Sequence, residues 1–471
     1  MTFVQLEFVG FYLTMFALYW SLASSRRAQN LLLAVGSAVF YGWIHPWFLA
    51  LLYFSAVLDY SCGRAMARYP GHKGWFLAVS LAGNLGMLGY FKYMDFFLEN
   101  VIAAFDLLGL GTSVHTLGIF LPVGISFYTF QTMSYTLDIY RGELEPRTNF
   151  LDYVVFVSFF PQLVAGPVER ASNLLPQMEK PRVFSIDRVR SGFGLAMWGA
   201  FKKVAVADTV APYVDKIFLL DDPSFPLVWV GALGFSIQIL ADFSGYTDIA
   251  RGTARMLGFD LMVNFNNPYI STNPSEFWRR WHISFSSWIV DYVYRPLRGA
   301  RRGFWIFCYA SIGSMLFSGL WHGANWNFIL FGLYFGLLAV GYRAVVPVIP
   351  ASWKTQRFSW PLAVLIYQFW WLVGIITFRE PEVMRTFSHL TRLPVGVDAV
   401  DWAAAAVVLS VLIGCALPQL IALCLEKSGW MARMRQSPWF LPAETTTWTL
   451  YALCIFSFVR VSANDFIYFQ F

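Results

Sequence analysis

Charge is what this chain of 471 residues has least of. Asp, Glu, Lys and Arg make up 13% of it, where a soluble domain carries roughly 25%. With 57% hydrophobic residues, such a chain cannot cover itself with a soluble surface, which excludes an ordinary globular domain. Cysteine is scarce as well. Cys62, Cys308, Cys415, Cys424 and Cys454 sit in or beside apolar segments without paired spacing, so neither a disulfide framework nor a cysteine metal motif can be read. No basic stretch precedes the first apolar run, and the first basic pair, Arg26-Arg27, comes after it. That order argues against a cleaved signal peptide and for a retained first span. The net charge of +6 is scattered in short clusters between apolar runs, as in cytoplasmic loops, and does not point to nucleic acid. Internal repeats are missing too, which weakens a transporter built from inverted halves.

What is present is a succession of long apolar runs. Lipid admits only helices and closed barrels. The runs are continuous and near helix-spanning length rather than alternating over roughly ten residues, so helices are expected. Candidate spans fall at about 3–22, 30–45, 47–62, 75–91, 117–139, 226–249, 304–320, 326–346, 361–378, 401–424 and 446–462. Two stretches are ambiguous. The run 150–165 is short and is best read as re-entrant, because that keeps Arg141 and Arg147 on the same side as Arg170, Lys180, Arg182, Arg188 and Arg190. The stretch 191–220 carries Lys202, Lys203, Asp208 and Asp215, too many charges for a lipid-facing span, so part of it lines a cavity or lies at the interface. The loop charges predict an external N-terminus, an external Asp221-Asp222 turn and an internal segment from Arg251 onward. One membrane domain, residues 1–471, is expected, with a core at about 226–346.

The densest chemistry lies between Gln238 and Asn327. His322 stands in Trp321-His322-Gly323 inside an apolar run. An ionisable group at membrane depth costs a few kcal/mol, so it marks a candidate functional site; a histidine that only caps a neighbour is the alternative. Forty positions earlier stands a second Trp-His pair, Trp281-His282. Asn273, Pro274 and Glu276 have the spacing of an N-cap, a first helical position and a capping-box acid. They predict a helix from Pro274 carrying Phe277, Trp278, Arg279, Arg280, Trp281, His282, Phe285 and Trp288. The helix reads either as an amphipathic interfacial segment or as a re-entrant one that brings His282 toward His322. Asp242 and Asp248 lie within two turns of each other and read as structural polar residues, Asp248 pairing with Arg251 at i,i+3. Arg295, Arg298, Arg301 and Arg302 extend a basic surface. Arginine suits phosphate, so these residues are either a funnel for a phosphorylated carrier such as coenzyme A or a plain positive-inside loop. Two histidines without a clear third ligand fall short of a catalytic zinc site, and no metal is expected.

Seven motifs occur in order: Tyr90-Phe-Lys-Tyr93, Leu121-Pro-Val-Gly-Ile-Ser-Phe-Tyr128, Phe160-Pro-Gln-Leu-Val-Ala-Gly-Pro167, Asp242-Phe-Ser-Gly-Tyr246, Phe277-Trp-Arg-Arg-Trp-His-Ile-Ser284, Leu320-Trp-His-Gly-Ala-Asn325 and Phe466-Ile-Tyr-Phe-Gln-Phe471. As a set they resemble the membrane-bound O-acyltransferase family. The resemblance is strongest to its bacterial branch for alginate and exopolysaccharide O-acetylation, with teichoic-acid D-alanyl transferases as cousins. It runs from about residue 30 to the C-terminus and departs slightly at Gln162.

The resemblance implies an all-α polytopic membrane protein, with about 11 transmembrane helices plus re-entrant or interfacial helices around a central tunnel, in the bacterial inner membrane. It implies an O-acyltransferase with His322 and His282 as its key polar residues. It also implies transfer of an acetyl group from cytoplasmic acetyl-CoA, with no resident cofactor, toward an extracellular polysaccharide such as alginate or cellulose. An extracytoplasmic acetyltransferase partner within a polysaccharide biosynthesis complex would receive the group. Chemically, His322 would act as general base and return the proton to the thiol. His282 would orient His322 or hydrogen-bond the oxyanion. Arg279, Arg280, Arg295 and Arg298 would hold the donor's phosphates, and Trp281, Trp321 and Asn325 would shape the site. Two other readings remain: a transporter or flippase for a polysaccharide or lipid-linked precursor, and a D-alanyl-type transferase acting on teichoic acid.

Overall fold

The computed structural model describes residues 1–43, 45–164, 166–349, 359–459 and 466–467. The last residues of the span expected at 446–462, residues 468–471 of the terminal motif and Ala165 of the Phe160–Pro167 motif lie outside them. The described residues form helices and no strands. Six helical segments are long and apolar enough to cross a membrane: Pro70–Leu107, Phe225–Met256, Phe304–His322, Trp326–Val348, Ser359–Arg379 and Ala399–Lys427. This is a multi-pass membrane protein.

The chain divides into two compact units, one of Met1–Phe193 with Ala250–Met262, the other of Gly194–Ile249 with Val263–Phe471. In the first unit, helices Phe48–Arg68, Lys73–Leu88 and Ile125–Arg141 are joined by a fully buried polar network. Asp59 accepts from the Ser80 hydroxyl at 2.6 Å and from Asn84 Nδ2 at 2.8 Å, and Ser80 and Ser55 reach Thr136 and Thr132 at 2.9 Å. Between apolar helices, such hydrogen bonds supply cohesion that lipid does not compete for. The stretch 150–165 forms two short helices, Phe150–Ser158 and Phe160–Leu163, broken at Phe159. Helices of nine and four residues are too short to span a bilayer core of about 30 Å.

In the second unit, Phe304–His322 and Trp326–Val345 form a tight hairpin. A Cβ placed at Gly319 or Gly332 would run into the carbonyl oxygen of Phe328 or Met315. Glycine at these two positions therefore lets the backbones close up, the small-residue packing typical of membrane helices. Asn325 caps the second helix, its side chain accepting from the Asn327 N–H at 3.4 Å. Of the charges in 191–220, Lys202, Lys203 and Asp208 turn inward, whereas Asp215 is half-exposed and pairs with Arg379 at 2.8 Å. Lys203 Nζ lies 2.7 Å from Asp208 and 2.8 Å from Asp242, and Lys202 Nζ lies 2.7 Å from Asp248. Asp248 thus has as a partner a lysine more than forty residues earlier, which the sequence did not suggest. Local spacing could not reveal a pairing made by tertiary packing.

The helix expected from Pro274 onward is also interrupted. Its start is as read: Asn273 caps it, accepting from the Glu276 N–H at 2.9 Å. The helix ends at Trp278, turns through Arg279–His282 and restarts as Ile283–Ile289. His282 sits at φ 45°, ψ 53°, a left-handed conformation that costs a non-glycine residue about 1–2 kcal/mol.

Candidate active site

The break at His282 has a specific cause. Asn264, fully buried in the extended stretch after the Phe225–Met256 helix, clasps the new helix start. Its backbone carbonyl accepts the Ile283 N–H at 2.9 Å. Its side-chain Oδ1 accepts the Ser284 N–H at 3.2 Å and the Ser284 hydroxyl at 2.9 Å, and lies 3.1 Å from His282 Nδ1. The Asn266 N–H donates to the Arg280 carbonyl at 2.9 Å. These bonds fasten both sides of the turn and offset the cost of the left-handed residue.

The imidazole so presented is 1% exposed. Phe243 meets it edge-on at 4.7 Å and 89°, with Phe285 at 5.0 Å, Trp321 at 5.7 Å and Phe265 at 6.5 Å between ring centroids. Burial among these rings pushes its pKa down to about 3, because a low-dielectric surround disfavours the charged form. His282 is neutral at physiological pH.

His322 ends the Phe304–His322 helix and is 5% exposed. Its ring neighbours are Trp321 at 5.0 Å, Phe378 at 5.1 Å, Phe331 at 5.7 Å and Phe285 at 6.0 Å. Phe285 and Trp321 stack on each other at 4.1 Å, and each touches both imidazoles. The two histidines therefore share one aromatic box. Two buried imidazoles in such a box can accept and return protons where water is scarce.

The other residues singled out in the sequence divide. Trp321 belongs to the box. Trp281 packs on Phe277, Trp371 and Phe265, and Phe265 in turn lies 6.5 Å from the His282 ring. Arg280 is paired with Glu276 at 3.0 Å and Arg295 with Asp291 at 2.8 Å. Arg279 is exposed, Arg298 half-buried, and Asn325 serves as a helix cap. Asp242 has a structural setting: beside its bond to Lys203 it accepts the Ile467 N–H at 2.8 Å, while Phe466 packs on Phe243 at 5.5 Å. The sequence assigns no site role to Asn264, Phe243, Phe285 or Phe378, and names Phe285 only as part of the helix from Pro274. Asn264 had a signal, since it opens the run Asn264-Phe-Asn-Asn-Pro where the apolar pattern breaks. The phenylalanines had none, being indistinguishable from a membrane-facing stripe.

Residues 143–378, which include both histidines, match the membrane-bound O-acyltransferase family. The chain belongs to this family. Among its relatives, a probable alginate O-acetylase of Azotobacter vinelandii is 41% identical over 79% of this chain and 74% of its own length. One of Pseudomonas aeruginosa is 39% identical over 79% of this chain and 75% of its own. A peptidoglycan O-acetyltransferase of Helicobacter pylori is 30% identical over all of this chain and 95% of its own. The membrane-bound O-acyltransferase described here is thus an acyl-transferring enzyme whose family match spans the aromatic box.

Proposed function

We propose that this enzyme moves an acetyl group from cytoplasmic acetyl-CoA toward the hydroxyls of an extracellular polysaccharide, and that it works in the bacterial inner membrane. The convergence of His322 and His282 on the stacked Phe285–Trp321 pair carries the reading. The relatives named for alginate and peptidoglycan O-acetylation support a saccharide hydroxyl as final acceptor. In the fuller architecture, the five shorter or less apolar helices Leu6–Ser21, Arg26–Gly42, Phe48–Arg68, Ile125–Arg141 and Phe440–Phe458 also span. They join the six long ones to give about eleven, and the charged stretch 186–218 carries the chain across as a cavity-lining piece, with re-entrant pieces around a tunnel. The core at 226–346 works within one membrane domain.

The step requires no protein nucleophile. His322 takes the proton of an attacking hydroxyl as its oxygen bonds to the thioester carbonyl carbon. The carbon–sulfur bond then breaks, and the imidazolium returns the proton to the departing thiolate. His282 orients His322 or bonds the oxyanion. The exposed Arg279 and half-buried Arg298 meet the donor's phosphates, while Arg280 and Arg295 hold the approach through Glu276 and Asp291. Because the acceptor is external, an extracytoplasmic acetyltransferase receives the group and completes transfer within a polysaccharide biosynthesis complex.

The test uses purified enzyme together with its extracytoplasmic acetyltransferase partner in proteoliposomes, with radiolabelled acetyl-CoA and an oligosaccharide acceptor, following free thiol. Acceptor-dependent thiol release supports the reading. Movement of label across the membrane without thiol release would favour a transporter.

A further inference from the structure

The hydrogen bonds around Asn264 assign a proton. The atom facing the Ser284 N–H at 3.2 Å and the Ser284 hydroxyl at 2.9 Å must be the amide oxygen, because the amide nitrogen would meet the N–H donor to donor. That same oxygen stands 3.1 Å from His282 Nδ1. An acceptor there requires the proton on Nδ1, and a neutral imidazole carries only one. We propose that Asn264 is a positioning residue that fixes His282 as the Nδ1–H tautomer, leaving the Nε2 lone pair to act as a proton acceptor in the active site.

The inference rests on the reading that His282 belongs to the active site, and it separates the two roles given above. A neutral imidazole with its proton held on Nδ1 cannot donate through Nε2 to a developing oxyanion. It can accept the N–H of His322, and so order the base, or accept a hydroxyl proton. The groups seen facing His282 agree: Phe243, Phe265, Phe285 and Trp321 are uncharged rings, and Asn264 is a neutral amide. The left-handed backbone at His282 is the geometry that lets one side chain hold both the ring and the following helix start. An asparagine serving only as helix cap would have no need to reach the ring.

The experiment is nitrogen NMR of the full-length enzyme in lipid nanodiscs, labelled in its six histidines, with His282 assigned by difference against His282→Gln. At neutral pH a pyridine-type Nε2 and a pyrrole-type Nδ1 are expected. The reverse pattern, or two pyrrole-type nitrogens, overturns the proposal. Asn264→Asp keeps a cap of equal quality while placing a carboxylate on Nδ1. It should convert His282 to the doubly protonated form and lower transfer at least tenfold. His282 signals unchanged by that substitution would show that residue 264 does not face the ring. The two layers fail separately. Full transfer by His282→Ala would remove His282 from the active site yet leave its tautomer as assigned. A pyrrole-type Nε2 together with an inactive His282→Ala would keep the site and refute the tautomer.

Discussion

At the scale of the residue, the site is governed by dehydration. His282 is enclosed by aromatic rings and bonded to a neutral amide, so its neutral form is built into the fold. Its folded pKa, near 3, lies below an unfolded value of about 6.5. The unfolded state therefore binds more protons between these values. The contribution is fully present above about pH 6.5 and is lost as pH falls toward 3. His282→Gln lacks this loss. Thermal unfolding in detergent should show the variant gaining on the wild type as pH drops from 7 to 5, whereas a gap that does not change with pH would contradict a buried neutral imidazole. The arginines behave differently. Glu276→Gln releases a half-exposed ion pair at Arg280, and such pairs contribute about 1 kcal/mol or less. It should leave the melting temperature within a few degrees of the wild type while raising the KM for acetyl-CoA severalfold; an unchanged KM would remove Arg280 from the donor's approach.

At the scale of the element, two devices place the histidines: a glycine-tight hairpin for His322 and an asparagine-clasped helix break for His282. Gly319 lies one turn before His322, and a side chain there meets the Phe328 carbonyl. Gly319→Val should lower transfer at least tenfold. Gly341→Val, in the same hairpin but with open space around the added Cβ, should retain activity; equal loss in both variants would indicate that packing at Gly319 is not what positions His322. The long apolar helices and the Asn273 cap were legible in the sequence, because both depend on neighbours a few residues away. The break at Arg279–His282 was not. It depends on Asn264, eighteen positions earlier, and local pattern continues the helix through it. The Asp248–Lys202 pair was hidden for the same reason. His322 was legible because an ionisable residue in an apolar run conflicts with its surroundings, and such conflicts concentrate at functional sites.

At the scale of the whole molecule, the positive-inside pattern sets a topology with a mechanistic consequence. The Asp221-Asp222 turn is expected outside, and Arg392 pairs with Asp222. The segment after Arg379 therefore shares that side, while Arg301 and Arg302, before the Phe304–His322 helix, are expected on the cytoplasmic side. With the five native cysteines replaced by alanine, a membrane-impermeant thiol reagent applied outside should label Ser388→Cys and spare Arg302→Cys. The opposite labelling would invert the topology and remove the cytoplasmic approach for acetyl-CoA.

The central claim is that His322 performs the proton transfer. Its most direct test is the initial rate of acceptor-dependent thiol release from acetyl-CoA by purified wild type and His322→Ala at equal insertion and equal melting temperature. The account predicts a rate lowered on the order of a thousandfold, as for loss of a general base. A His322→Ala enzyme that releases thiol and acetylates its acceptor at the wild-type rate would contradict it.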